Sequence, residues 1–171
     1  QYKASSPSTT NYGHGDTTIT TAAWHSVAVV SSGTAWTFYV DGTAESITMQ
    51  GGTNDGSWFG DNSTRDNFSI GALVRSSVVS SKFDGKIMQV AYFGGSVADQ
   101  GVLTAAQIAA LHSAGKGHDL TTATGVYTAS EIDDLKGYWR MGNHRLDTAI
   151  TIYDASGNGY DMQAVSAPVT Q

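Results

Sequence analysis

Residues 24–42 read Trp24-His25-Ser26-Val27-Ala28-Val29-Val30-Ser31-Ser32-Gly33-Thr34-Ala35-Trp36-Thr37-Phe38-Tyr39-Val40-Asp41-Gly42, and this stretch decides the fold class. Its first part is rich in β-branched residues, which favour a pleated strand. After the Ser-Ser-Gly turn, Trp36, Phe38 and Val40 alternate with Thr37 and Tyr39. That period of two marks a half-buried strand. Asp41-Gly42 is a hairpin signal, and Thr43 to Met49 returns with Ile47 and Met49 on one face. The alternation predicts that Trp36, Phe38 and Val40 face the core. Burial of each is worth roughly 1.5–3 kcal/mol. A slip of one residue would place all three in water, so the register is well specified.

Downstream, residues 50–66 form a polar loop rich in glycine and aspartate. Asn67 to Val74 alternates again, with Phe68, Ile70, Ala72 and Val74 on one side. A Ser-rich turn leads to Phe83-Asp84-Gly85, then to a strand from Lys86 to Phe93. Two short helices follow. Thr104 reads as an N-cap with Gln107 closing a capping box, Leu103 and Ile108 as a hydrophobic staple, and Gly115 as the stop. Thr128, Glu131, Tyr127, Ile132 and Gly137 repeat that pattern. The last segment returns to β at Tyr138–Met141 and Ala149–Tyr153, with a tight turn from Asp154 to Gly159. Upstream, residues 1–20 are polar and read as an arm or linker with at most one edge strand at its end. Residues 21–171 then make one domain. Short strands at even spacing without βαβ alternation predict an all-β antiparallel sandwich with two short helices.

Composition limits the function. The chain has 171 residues and a net charge of −6. Its nine basic residues are scattered, so no basic stripe exists to neutralise phosphates or to dock on anionic lipid. Nucleic-acid binding and membrane insertion are not expected. Without cysteine there is no disulfide, thiol nucleophile or thiolate metal site. The chain begins with Gln1 rather than Met, which reads as a processed or partial chain.

The Trp24-His25-Ser26-Val27-Ala28-Val29 and Phe38-Tyr39-Val40-Asp41-Gly42 hairpin resembles that of laminin-G-like and pentraxin-like domains. Phe68-Ser69-Ile70-Gly71, Phe83-Asp84-Gly85-Lys86-Ile87 and the Leu103-Thr104-x-x-Gln107-Ile108 helix start continue the likeness in the family's order, over roughly residues 24–115. The resemblance implies a two-sheet, concanavalin A-like jelly roll. Tyr138-Trp139-Arg140-Met141-Gly142 and Asp154-x-Ser156-Gly157-Asn158-Gly159 look like the opening segment of such domains, yet they come last. The domain therefore reads as permuted, incomplete on its N-terminal side, or followed by a truncated second one. The same pair resembles structural proteins of tailed bacteriophages.

Glycosidases of this fold need two carboxylates flanking the scissile bond. Only Glu45 and Glu131 are glutamates, and Glu131 already has a role in a capping box, so no enzyme is expected. The histidines lack metal-ligand spacing, and no required cofactor is evident. Calcium is the ion the fold allows. Its candidate ligands are Asp154, Asn158 and Asp161, or the loop with Asp55, Asp61, Asn62 and Asp66, though turn chemistry explains the same residues. A sugar platform would use Trp58 and Phe59 beside Asp55, Asp61 and Asn62. The competing reading is that the two rings staple the loop to the core. The expected function is a virion-surface structural module, capsid-decorating or tail-associated, that contacts copies of itself or other virion proteins and surface glycans. A secreted or cell-surface carbohydrate-binding adhesin is the alternative.

Overall fold

The computed structural model describes residues 4–6, 9–57, 68–75, 78–94 and 101–164. Among these residues, strands and helices follow in the order β1 (Ala4–Ser6), β2 (Thr9–Gly15), β3 (Val27–Ser31), β4 (Trp36–Val40), β5 (Thr43–Glu45), β6 (Ile47–Gly51), β7 (Leu73–Arg75), β8 (Val78–Ser80), β9 (Val90–Phe93), α1 (Ala105–Ser113), α2 (Ala129–Asp133), β10 (Leu135–Trp139), β11 (Thr151–Ile152) and β12 (Met162–Gln163). The fold is all-β, as expected, and every pairing among the described residues is antiparallel. The strands form the sheets β1-β2-β6, β3-β4-β5, β10-β9, β7-β8 and β11-β12.

The decisive hairpin forms, with Val29 opposite Phe38 and Ala28 opposite Tyr39. The next turn, between β4 and β5, needs two consecutive left-handed residues, and Asp41 (φ 50) and Gly42 (φ 79) supply them. The run from Thr43 to Met49 is split at Ser46. Its first half pairs with β4 and its second half with β2, so the chain changes sheets there.

The buried face differs from the expected one. Tyr39 is buried, while Phe38 and Val40 are only half-buried. Val27 and Val29, on the same face as Phe38 and Val40, are 71% and 50% exposed. The reason lies in the helices. Both capping boxes form, Thr104 with Gln107 and Thr128 with Glu131. Each staple then delivers its side chains to one cluster of Tyr39, Leu103, Ile108 and Tyr127, against which Ala28, Val30, Phe93, Leu111 and Ile132 pack. Helix packing thus covers the Tyr39 face. Trp36 is buried separately, at the strand end, where its Nε1–H donates to Ser57 O.

Tyr127 is fully buried, edge-on to Phe93 with ring centroids 6.1 Å apart, and donates its hydroxyl to Leu120 O. Gly115 (φ 87) ends α1 as expected. Gly137 does not end α2, which stops at Asp133. It lies inside β10, where any Cβ would overlap the Trp139 ring.

Other boundaries move for local reasons. Gln89 (φ 54) breaks the run from Lys86, so β9 starts at Val90, and Met141 (φ 52) closes the β10 segment. Residues 1–20, read from composition as an arm, carry β1 and β2, and β2 pairs with β6.

Tyr127→Ala removes the ring on which both staples close. We expect it to cost about 3–5 kcal/mol, read as a lowered midpoint in urea unfolding. Tyr127→Phe should cost only about 1 kcal/mol.

Candidate functional site

Two polar assemblies organise the surface. The first surrounds residues 53–57, which lead into the Trp58 loop. Asn11 is 4% exposed, accepts from Thr53 N–H through Oδ1 (3.0 Å) and donates from Nδ2 to Asp55 Oδ2 (2.7 Å). Asp55 Oδ1 accepts from Ser57 N–H (3.0 Å) and Oγ–H (2.7 Å). Asn54 bonds both ways to the Trp36 backbone, accepting at 2.6 Å and donating at 3.0 Å. Ser31 donates to Gly56 O. The segment is therefore tied to β2, β3 and β4 together. Bonds from Ser57 chiefly, and from Asn11, hold the Asp55 carboxyl below its ordinary pKa. Trp58, Phe59, Asp61, Asn62 and Asp66 lie outside the described residues, so of the expected sugar site the structure places Asp55 alone.

The second assembly is the turn after β11. Asp154 is 1% exposed. Its Oδ1 accepts from Tyr138 N–H and Ser156 N–H, both at 2.9 Å, and its Oδ2 accepts from Tyr160 N–H at 3.0 Å. Asp161 Oδ1 accepts from Asp154 N–H at 2.9 Å. Asn158 turns its Nδ2 donors toward the Leu135 and Lys136 carbonyls. The three residues proposed as calcium ligands are thus brought together, but their polar atoms hold backbone. A cation needs free oxygens converging on one point, and the carboxylate of Asp154 is spent on three N–H donors. Among the described residues no group of three or more His, Cys, Asp or Glu side chains is placed to hold a metal.

The spacing of the histidines, His25 among them, pointed to no metal site. In the structure Nδ1 lies 2.7 Å from Asp41 Oδ2 and Nε2 lies 2.9 Å from Thr20 Oγ1. Asp41 Oδ1 also accepts from Ser26 N–H at 2.9 Å, and the bond to His25 chiefly holds the Asp41 carboxyl below its ordinary pKa. The order of hydroxyl, imidazole and carboxylate is that of an acyl-transfer triad. Here it serves to latch residue 20 and the start of β3 to the hairpin turn. Asn11 was also missed, since a lone Asn in a polar stretch carries no signal of burial.

The two glutamates have local partners. Glu131 accepts from Thr128 N–H and Oγ–H, and Glu45 accepts from Thr17 N–H and Oγ–H.

A family model described as the concanavalin A-like lectin/glucanases superfamily, of laminin-G type, matches residues 1–109. The chain belongs to this superfamily, which makes it a carbohydrate-binding-like module by class. The match begins upstream of the stretch that carries the sequence resemblance and takes in β1 and β2. No curated protein and no solved structure matches the chain. No helix among the described residues is long and apolar enough to cross a membrane.

The Asp154 fastener predicts a pH dependence. Burial alone raises its pKa, but hydrogen bonds from Ser156, Tyr138 and Tyr160 outweigh burial and lower it. A depressed carboxyl contributes stability above its unfolded value, near 4, and loses it as pH falls through the folded value. Stability should therefore drop below about pH 4. In Asp154→Asn the protein should be less stable at pH 7 and show a weaker acid transition, both read by thermal melts across pH.

Proposed function

We propose that this chain is a non-enzymatic, lectin-like structural module of a virion surface, a capsid-decorating or tail-associated subunit that contacts its neighbours and host glycans. The observation that carries the reading is the apolar surface left uncovered. Among the described residues, thirteen large apolar side chains are exposed and eight apolar residues are buried. A sandwich domain that works alone buries its inner faces, so the balance favours a subunit covered by others. The virion context draws support from the likeness of Tyr138–Gly142 and Asp154–Gly159 to tailed-phage structural proteins. The local engagement of Glu45 and Glu131 supports the non-enzymatic part.

Glycan contact draws support from family membership and from the residues before Trp58, which are held by three strands. We place it at Trp58 and Phe59 with Asp55, Asp61 and Asn62. Calcium, if bound, belongs in this acidic loop rather than at Asp154. A second reading, a secreted or cell-surface adhesin, is favoured by the same family membership, since laminin-G-like domains are typically extracellular.

Gold-labelled antibody on the source material should decorate virus particles. Label confined to cell envelopes or to soluble protein would remove the virion reading and leave the adhesin. On a glycan array, Trp58→Ala should lose retention while keeping the thermal midpoint of the parent. A fall in midpoint would instead make Trp58 a packing residue.

A further inference from the structure

Four steps in the chain join an Asp or Asn to a glycine: Asp41-Gly42, Asp55-Gly56, Asp84-Gly85 and Asn158-Gly159. Such steps are chemically weak. Glycine has no Cβ, so nothing hinders attack by its amide nitrogen on the side-chain carbonyl before it. Three of the four are protected. An ionised carboxylate repels a nucleophile, and hydrogen bonds hold Asp41 and Asp55 below their ordinary pKa. Their glycines are also walled in. A Cβ at Gly42 would stand 3.1 Å from the His112 Cβ, and one at Gly56 would stand 2.5 Å from Ala35 N. At the third step the electrophile is again a carboxyl group, and a Cβ at Gly85 would stand 2.7 Å from the Phe83 ring.

Asn158-Gly159 differs on each count. It is the one Asn-Gly step in the sequence. A neutral amide is the better electrophile, and Asn is accordingly among the thermolabile residues. Asn158 is exposed, Gly159 is left-handed (φ 79), and no described atom lies within 4 Å of the place its Cβ would take. The step precedes β12, whose ladder with β11 pairs Thr151 with Gln163 and Ile152 with Met162. A ladder so short lies at the low end of local stability, so the peptide has room and occasion to move.

The amide at this step is also a fastener. Asn158 Nδ2 donates to Leu135 O at 2.9 Å, to Lys136 O at 3.3 Å and to Ser156 Oγ at 3.1 Å. It thereby ties the 154–161 turn to β10. Two residues on, Tyr160 gives its N–H to Asp154 Oδ2 and accepts from Trp139 Nε1. The stretch between these two anchors has a set length.

We infer that Asn158 is a self-modification site, and that its conversion to aspartate or isoaspartate loosens the C-terminal turn from β10. The Gly159 nitrogen, giving its proton to water, attacks Asn158 Cγ. The new N–C bond closes a succinimide ring, the Cγ–Nδ2 bond breaks, and Nδ2 leaves as ammonia with a proton returned by water. Water then adds to one of the two imide carbonyls and breaks its bond to nitrogen. Opening at Cγ gives aspartate, and opening at the main-chain carbonyl gives isoaspartate. Water is the only co-reactant, and no electrons are exchanged.

Either product reverses the local chemistry. A carboxylate has no donors, so its oxygens would face the Leu135 and Lys136 carbonyls, and those acceptors would lose their partner. Isoaspartate also routes the main chain through Cβ and adds one carbon between the Asn158 and Tyr160 anchors. The turn then cannot keep both. While the turn is closed its hydrogen bonds restrain the amide, so conversion is slow and accumulates with the age of the protein.

Peptide mapping by mass spectrometry on the full chain, aged in mildly alkaline buffer, tests this. The mass gain of amide-to-acid exchange should appear at residue 158 before it appears at Asn54 or Asn143. A methyltransferase specific for isoaspartate should label the same peptide. The thermal midpoint should fall as the converted fraction rises, and Asn158→Asp should show the fall without ageing. Asn158→Gln keeps the donors but must close a larger ring, so it should age with an unchanged midpoint. Should that variant misfold, the time course of the parent decides alone. A residue 158 that is still Asn in aged protein overturns the inference, and so does a midpoint that holds its starting value while residue 158 converts.

Discussion

The fold depends on the closure of two hydrophobic staples on one tyrosine-centred cluster. Leu103 and Ile108 come from the first helix start, Tyr127 and Ile132 from the second, and Tyr39 from the hairpin. A short helix of five residues such as α2 cannot hold itself. The hydrophobic staple fixes its entry angle, and the half-buried Ile132 packs it onto the cluster beside the buried Tyr127. Because both helices land on the same side of β3 and β4, they decide which face of the hairpin is covered. The opposite face, with Val27, Val29 and Phe38, is left to water or to a partner.

That choice explains how the C-terminal segment is attached. β10 pairs with β9, and Phe93 of β9 packs edge-on to Tyr127. Asp154 then anchors the turn after β11 to the backbone of Tyr138. Burial pushes the Tyr127 and Tyr138 hydroxyls up, so both keep their protons and act as donors, to Leu120 O and His118 O. Residues beyond the family match are thus integrated through β9 rather than appended as a second unit.

The sequence made local structure legible and tertiary choices less so. Capping boxes, staples and the Asp41-Gly42 turn depend on neighbours within a few residues, and all of them were readable. Which face of β4 is buried was not, because Tyr39 and Phe38 are equally plausible core residues until the helices are placed. Gly137 looked like a helix stop, since the ring that requires its missing Cβ, that of Trp139, acts only once β10 is extended. Gln89 breaks a strand through a left-handed φ that nothing in its residue type announces. At the candidate sites, Asp154 was visible as a turn residue, but its burial on three N–H donors was not. Asn11 gave no signal at all, because its partners lie more than forty residues away.

Polar side chains on the described surface are largely committed to holding backbone. Asp55, Asp154, Asp41, Asn54 and Asn158 each bind main-chain groups. A catalytic carboxylate or a cation cage needs lone pairs that are free and convergent, and these residues have given theirs to turns. Among the described residues, apolar side chains such as Val27, Val29 and Val78 stay exposed. Exposed apolar surface of this kind marks sites of interaction. Polar groups committed to turns, beside uncovered apolar surface, support the proposal of a module that binds rather than catalyses.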